Sequence, residues 1–281
     1  MLETKKLLKD SVSKIDIVLE VLDARLPVAS ANPLLQNLYK TKRVVKLLNK
    51  SDLADPMITQ QWLNYFKTQT NLPAMAVNGR QKKDAFQTLK YCKKIFKRNR
   101  ARKIKVMVVG IPNTGKSTLL NTLTGKKIAK TGNLPAVTRH KQRTSLKDNI
   151  DLYDTPGILW PIIEPEEKAY MLAASGAISD AAIDYSQTAF FAAEFLLQSY
   201  PDSILNRYPF IQTLPTQALE LIELIGAARG CLKKGGMINL QKASGILIRD
   251  LRSGKIGRIS FERPLMKKSF HEAITPQSKP H

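Results

Sequence analysis

The apolar positions of this chain fall into two kinds of run. Residues 15–22 (IDIVLEVL) are apolar and rich in β-branched side chains, and they stop at Asp23-Ala24-Arg25-Leu26-Pro27. That is the pattern of a buried strand emptying into a loop. Residues 43–48 (RVVKLL) repeat it and end at Asn49; residues 72–77 end at Asn78-Gly79; residues 104–109 (IKVMVV) and 150–153 (IDLY) complete the set. Between these runs the spacing becomes helical. Pro56 opens a segment to residue 70 that carries Trp62, Leu63 and Phe66; residues 84–97 place Phe86, Leu89 and Ile95 on one side; residues 115–123 follow the fourth strand. Strands alternating with helices predict an α/β domain with a parallel sheet covered on both faces.

After Trp160-Pro161 the pattern changes. From Glu164 to about Gly230, Ala, Leu and Ile recur at helical spacing without a strand-like run or a second glycine-rich loop. The predicted organisation is an α/β domain over residues 1–162, an all-helical domain over 163–265 and a flexible tail over 266–281.

Charge adds a partner. The 281 residues hold 45 Lys plus Arg against 23 Asp plus Glu, a formal +22, and such an excess points to a polyanion. Between Arg80 and Lys105 there are 12 basic residues and one acid, Asp84. A second basic group includes Lys233, Lys234, Lys242, Arg249, Arg252, Lys255 and Arg258. Folded RNA, read by shape and backbone, is the expected counter-charge, with Lys93, Lys94, Lys97, Arg98, Arg249, Arg252, Lys255 and Arg258 as the contacts. A membrane surface is the second choice, because no apolar run of about 18 residues and no lipidation motif occurs. The N-terminus lacks an apolar secretion segment, and Cys92 and Cys231 stand alone without metal-ligand spacing. A cytoplasmic protein without disulfides is expected.

The chemistry resides in three short motifs. Residues 110–117 (GIPNTGKS) fit G-x-x-x-x-G-K-[ST] between a strand and a helix. Backbone N–H groups of such a loop surround phosphates, and the helix N-terminus adds its positive end. Asn113, Thr114, Gly115, Lys116, Ser117 and Thr118 are therefore the phosphate-binding candidates, with Ser117 also a Mg²⁺ ligand. Asp154-Thr155-Pro156-Gly157 ends the fifth strand; Asp154 can hold Mg²⁺ through water, and the Gly157 N–H can meet a γ-phosphate. Thr138, between the two motifs, offers a further hydroxyl for Mg²⁺. Asn49-Lys50-Ser51-Asp52 fits N-K-x-D. Guanine presents N1–H and N2–H₂ on one edge, two donors for the Asp52 carboxylate, whereas adenine would leave that carboxylate unpaired. Lys50 covers the base face, and Asn49 either meets the other base edge or braces the loop. NKSD precedes the phosphate loop, and DTPG follows both. In an ordinary GTPase the phosphate loop comes first and NKxD last, so this order implies a circular permutation, in which the start of the chain is moved while the spatial arrangement of the sheet is kept.

With DARLP, Asn32-Pro33, NKSD, GIPNTGKST, PAVT, DTPGILWP and the segment RDLRSGKIGR at 249–258, the sequence resembles the bacterial ribosome biogenesis GTPase A family of circularly permuted GTPases over nearly its whole length. The resemblance implies a circularly permuted Ras-like P-loop domain with a helical C-terminal domain. It also implies binding of GTP and GDP, and action on an immature 50S subunit late in assembly, with hydrolysis driving release. A monomer is expected. It further places Ala76 and Val77 in the guanine-binding loop, and makes Asn113 either a K⁺ ligand or an ordinary turn former. Ile158 occupies the position where Ras-like enzymes have a water-orienting Gln. The family's His, in an N-terminal Gly-His-Met motif, would fall just upstream of Met1. Either the start lies further upstream or this protein lacks the His, so no catalytic group is assigned and His140 is the remaining candidate. The alternative is a GTP-gated RNA-binding scaffold with negligible turnover.

Overall fold

A computed structural model describes residues 12–96, 102–126, 143–146, 149–155, 157, 159, 163–179 and 184–265. Lys97, Arg98, Thr138, His140 and the expected tail lie outside the described residues. The described strands are β1 (Ile17–Asp23), β2 (Arg43–Asn49), β3 (Ala74–Val77), β4 (Ile104–Val109), β5 (Arg143–Leu146) and β6 (Ile150–Asp154). They form one sheet in the order β3-β2-β1-β4-β6-β5. All pairings are parallel except β5 with β6. The antiparallel β5 is absent from the hydrophobic pattern because its four residues alternate between exposed and half-buried at the sheet edge.

Parallel strands bring their C-terminal ends to one edge of the sheet, and each motif sits at such an end. Asp23 of β1 is in register with Asn49 of β2, Asn49 with Val77 of β3, and Val108 of β4 with Asp154 of β6. The NKSD, phosphate and DTPG segments therefore converge on one edge despite their order in the chain.

The helices of this domain are α1 (Pro33–Leu38), α2 (Pro56–Gln69), α3 (Lys82–Ile95) and α4 (Lys116–Thr124). Asn32 caps α1 by accepting from the Leu34 N–H, and Asp55 caps α2 by accepting from Met57 and Ile58, each followed by Pro at the first helical position. Phe86 departs from expectation. On α3 the buried residues are Ala85, Thr88, Leu89 and Cys92, and Phe86 is 43% exposed. The helix starts two residues before the expected position, and its inner stripe is narrower and made of smaller side chains.

The second domain contains α5 (Glu166–Ser175), α6 (Tyr185–Ser199), α7 (Pro201–Arg207), α8 (Ala218–Ala228) and α9 (Leu240–Arg252). Ala189, Ala192 and Ala193 on α6 let Leu221, Ile222 and Ile225 of α8 and Ala243, Leu247 and Ile248 of α9 close around it. This core does not stop at the boundary between the two domains. Leu26 of the DARLP segment, Ala29 just after it and Ile111 of the phosphate loop are buried in the same cluster. After α9, residues 253–265 form a non-helical strap that returns to the α/β domain, where Ile259 N–H donates to Leu53 O and Phe261 N–H to Arg25 O.

Candidate nucleotide-binding site

The loop between β4 and α4 has the shape needed to enclose phosphates. Gly115 caps α4 at φ +93°, where a Cβ would lie 2.2 Å from Asn49 Nδ2, so only glycine fits. Thr114 Oγ1 donates to Ile111 O at 3.1 Å, and Lys116 Nζ donates to the same carbonyl at 2.7 Å. Ser117 and Thr118 are half-buried in the first turn of α4. Asp154 is buried at the end of β6, and its charge acts on Lys116. Gly157 lies against the loop so closely that a Cβ would be 2.9 Å from Pro112 N and 3.0 Å from Lys116 Nζ. A ligand at this position meets the Lys116 ammonium, the backbone N–H groups and the DTPG segment together. Burial pushes the Lys116 pKa down to about 8; nearby Asp154 opposes the shift and Lys50 adds to it.

Asn49 is a brace. Its Nδ2 donates to Thr114 O at 2.7 Å, and its Oδ1 accepts from Gly79 N–H at 2.8 Å. One side chain thereby ties the phosphate loop to the loop after β3, in which Val77 is buried and its carbonyl accepts from Ser51 N–H at 3.2 Å, while Ala76 is half-buried. Lys50 adopts φ +59° and pairs with Asp23 Oδ2 at 2.9 Å. Asp52 is exposed and faces solvent from the same loop.

The sequence alone marks Asp23 and Arg25 only as part of the loop after the first strand and of the family resemblance, yet they organise the site. Arg25 is 1% exposed; its Nε and Nη2 bond the two Asp23 oxygens at 2.9 and 2.8 Å, and Nη2 also donates to Ser175 O at 2.9 Å. Burial alone would raise the Asp23 pKa, but Arg25 and Lys50 together hold it well below the usual carboxylate range. The sequence signal was two opposite charges placed directly after a fully buried strand, where one alone would be costly.

The C-terminal end of α5 is gripped from three directions. Arg252 of α9 donates through Nη2 to Ala173 O at 2.7 Å and through Nε to Ala174 O at 3.3 Å. Arg25 takes Ser175 O. Asn113, at φ +58° in the phosphate loop, donates from Nδ2 to Gly176 O at 2.9 Å. Carbonyls left over at a helix C-terminus carry partial negative charge, and two guanidinium groups satisfy three of them.

The comparisons agree with this geometry. A sequence family described as 50S ribosome-binding GTPase matches residues 105–191. Ribosome biogenesis GTPase A of Priestia megaterium is 40% identical over 274 residues, covering 94% of both chains. The chain belongs to the ribosome biogenesis GTPase A family. It is a GTP hydrolase. The family protein from Thermotoga maritima is 31% identical, covering 98% of this chain and 93% of its own. Two solved structures share the fold. The GDP-bound structure of TM YlqF has a TM-score of 0.67 at 30% identity and covers 92% of this chain and 99% of that one. GNP-bound YlqF from T. maritima has a TM-score of 0.66 at 28% identity, with 93% and 98% coverage.

GTPases of this kind use Mg²⁺, and the residues fit it. A hydroxyl at the first turn of α4 and a buried carboxylate at the end of β6 form an all-oxygen donor set beside the phosphate cradle, as a hard cation requires. Among the described residues no helix is long and apolar enough to cross a membrane.

The RNA-contact candidates separate into two groups. Lys93, Lys94, Arg249 and Lys255 are exposed, although Lys255 lies 3.8 Å from Asp250. Arg252 and Arg258 are used differently from the expectation. Arg252 grips α5, and Arg258 donates to Ala54 O and Ser51 O, each at 2.9 Å. Both guanidinium groups are engaged by backbone carbonyls that water would otherwise solvate. Of the aromatic residues in the basic segment, Phe96 is buried beneath Arg43 and Arg102, whereas Phe86 stands exposed between Lys82, Lys83 and Lys90.

Proposed function

We propose that this GTPase docks on an immature 50S subunit in its GTP form and leaves after hydrolysis, acting in the cytoplasm. The observation that carries the reading is the shared end of α5, the helix after DTPG. The phosphate loop holds it through Asn113, the NKSD network through Arg25, and the helical domain through Arg252. A change at the γ-phosphate that moves Gly157 or Asn113 is transmitted to α9, whose last turn carries Arg249 and Arg252.

In this reading Asp52 accepts from the guanine N1–H and N2–H₂, Lys116 neutralises phosphate charge, and the N–H groups of residues 113–118 and Gly157 donate to phosphate oxygens. Ser117 and Asp154 would hold Mg²⁺, which when bound offsets the remaining phosphate charge; Thr138 is the third proposed ligand. An amide binds a cation through oxygen, so the Asn113 Nδ2 bond to Gly176 leaves Oδ1 as the atom for K⁺. Ile158 stands where a water-orienting Gln would be and its aliphatic side chain cannot hydrogen-bond a water, so the docked particle completes that function. Family membership favours turnover over a static scaffold. Phosphate release should therefore rise on adding 50S particles in KCl and less in NaCl; equal rates with and without particles would sink the proposal.

The base assignment has its own test. Replacing Asp52 by Asn should weaken GDP binding by roughly 100-fold, because a charge-assisted pair of hydrogen bonds to the base is lost, and should improve binding of XDP, whose 2-oxo group accepts from the amide. Unchanged GDP affinity would remove Asp52 from the base site.

The exposed face of α3 is the proposed RNA surface, with Phe86 available to an unstacked base among its lysines. The triple variant Lys83→Glu, Lys90→Glu, Lys94→Glu should weaken particle binding by at least about tenfold at moderate salt and flatten its salt dependence. GDP affinity should stay the same. A variant that binds particles with wild-type affinity and salt slope would place the surface elsewhere.

A further inference from the structure

The strap after α9 has no role in the reaction as described so far, yet it is built onto the guanine-specificity loop. Arg258 Nε donates to Ala54 O and Nη2 to Ser51 O, each at 2.9 Å, so one guanidinium spans the two ends of the segment that carries Asp52. The next residue continues the contact, with Ile259 N–H donating to Leu53 O at 2.9 Å. Ser260 Oγ then accepts from Asp55 N–H at 3.1 Å, at the start of α2. Ile259 and Ser260 are buried, which anchors the strap below the exposed Arg258. Of the four carbonyls from Ser51 to Ala54, three are thus taken by two consecutive strap residues.

At its far end the loop is anchored by Ala54, which is buried in a core cluster with Leu48, Ile58 and Trp62; residues 51–53 before it are half-buried or exposed. The loop's own backbone bonds are Leu53 N–H to Lys50 O at 2.9 Å and Ser51 N–H to Val77 O at 3.2 Å, and it begins with Lys50 in the left-handed region. A carboxylate must be placed within about 0.5 Å to accept two adjacent donors at once, and Asp52 is exposed on the loop. The position of that carboxylate is therefore set by the backbone, and the strap holds that backbone at three carbonyls.

We infer that Arg258 is a positioning residue for guanine recognition, holding the Ser51–Ala54 backbone so that the Asp52 carboxylate meets both donors of the base. The inference rests on the reading of Asp52 as the guanine acceptor. It makes base selectivity, a property of the α/β domain in the Ras-like arrangement, depend on the segment that follows the helical domain. Lysine cannot substitute fully, because one ammonium lacks the planar fork that reaches two carbonyls.

The test compares GDP with IDP, whose base keeps N1–H and lacks the 2-amino group, on the full chain. Wild type should prefer GDP, and Asp52→Ala should abolish the preference. Arg258→Ala should lose about tenfold in GDP affinity and about twofold in IDP affinity, since the bidentate contact is lost and the single one survives. Arg258→Lys should fall between, and circular dichroism and thermal melting should show both variants folded. If GDP and IDP weaken by the same factor, or neither changes, while wild type and Asp52→Ala behave as stated, the strap inference is overturned and the base reading stands. If wild type shows no preference for GDP over IDP, both fall together. Should Arg258→Ala fail to fold, Arg258→Lys decides alone, and an unchanged GDP-to-IDP ratio in that variant overturns the inference.

Discussion

Replacing Lys116 by alanine is expected to reduce GTP hydrolysis by about a thousandfold or more, because a cation built into the phosphate loop is removed from a site where charge is screened little. The structure makes the effect specific. Lys116 is buried, is held over the loop by Ile111 O, and approaches the position of Gly157. A matching loss of particle-stimulated phosphate release, with the fold intact by circular dichroism, is the check; a variant within tenfold of wild type would show that the loop binds phosphate by its backbone alone. The same residue gives a pH signature. Its pKa in the free protein is about 8, and bound phosphates favour the charged form. Below pH 8 the ammonium is already present and nucleotide affinity should be flat. Above it, binding must take up a proton, so affinity should fall towards about tenfold per pH unit. In Lys116→Ala this slope should be absent, and its persistence would assign the titration to another group.

Replacing Arg25 by alanine should destabilise the folded chain by about 3–5 kcal/mol, the usual consequence of removing one partner from a buried ion pair. The change leaves Asp23 paired with Lys50 and removes the Arg25 donor from Ser175 O. At this chain length that corresponds to a melting temperature lower by roughly 10 °C. The effect should be more than a loss of packing, because Arg25 joins β1, the NKSD loop and the end of α5. Asp23→Asn should give a smaller loss, since the amide can still accept from the guanidinium. If Arg25→Ala melts within about 2 °C of wild type, the buried network contributes specificity and not stability, an outcome seen for some buried ion pairs.

The contrast between these residues shows how much could be read in advance. Residues 43–48 and 104–109 announced β2 and β4 to within a residue, because strands buried on both faces are continuous apolar runs. The phosphate loop, NKSD and DTPG were equally plain, since each needs particular side chains at fixed spacing. Other features were not legible. β5 has a polar, half-exposed pattern and owes its existence to the edge of β6. Phe86 looked like a core residue from its type, and its exposure was decided by which stripe of α3 met the sheet. Arg252 and Arg258 looked like phosphate ligands among other basic residues. Their partners are backbone carbonyls 204 and 207 positions away for Arg258, and 78 and 79 away for Arg252.

What the sequence by itself determined was therefore the chemistry: a guanine nucleotide site, its order along a permuted chain, a helical second domain and an excess of positive charge. These follow from local composition and spacing, because backbone curvature, ligand type and hydrophobic period are written in neighbouring residues. What only the tertiary structure decided was the connection between the parts. Arg25 could be seen as a charge after a strand but not as the link between Asp23 and Ser175. Asn49 could contact a base or brace a loop, and the structure shows it bracing Thr114 to Gly79. Such links depend on which carbonyls remain unsatisfied once strands and helices have packed, a property of the assembled backbone to which residues far apart in the chain contribute.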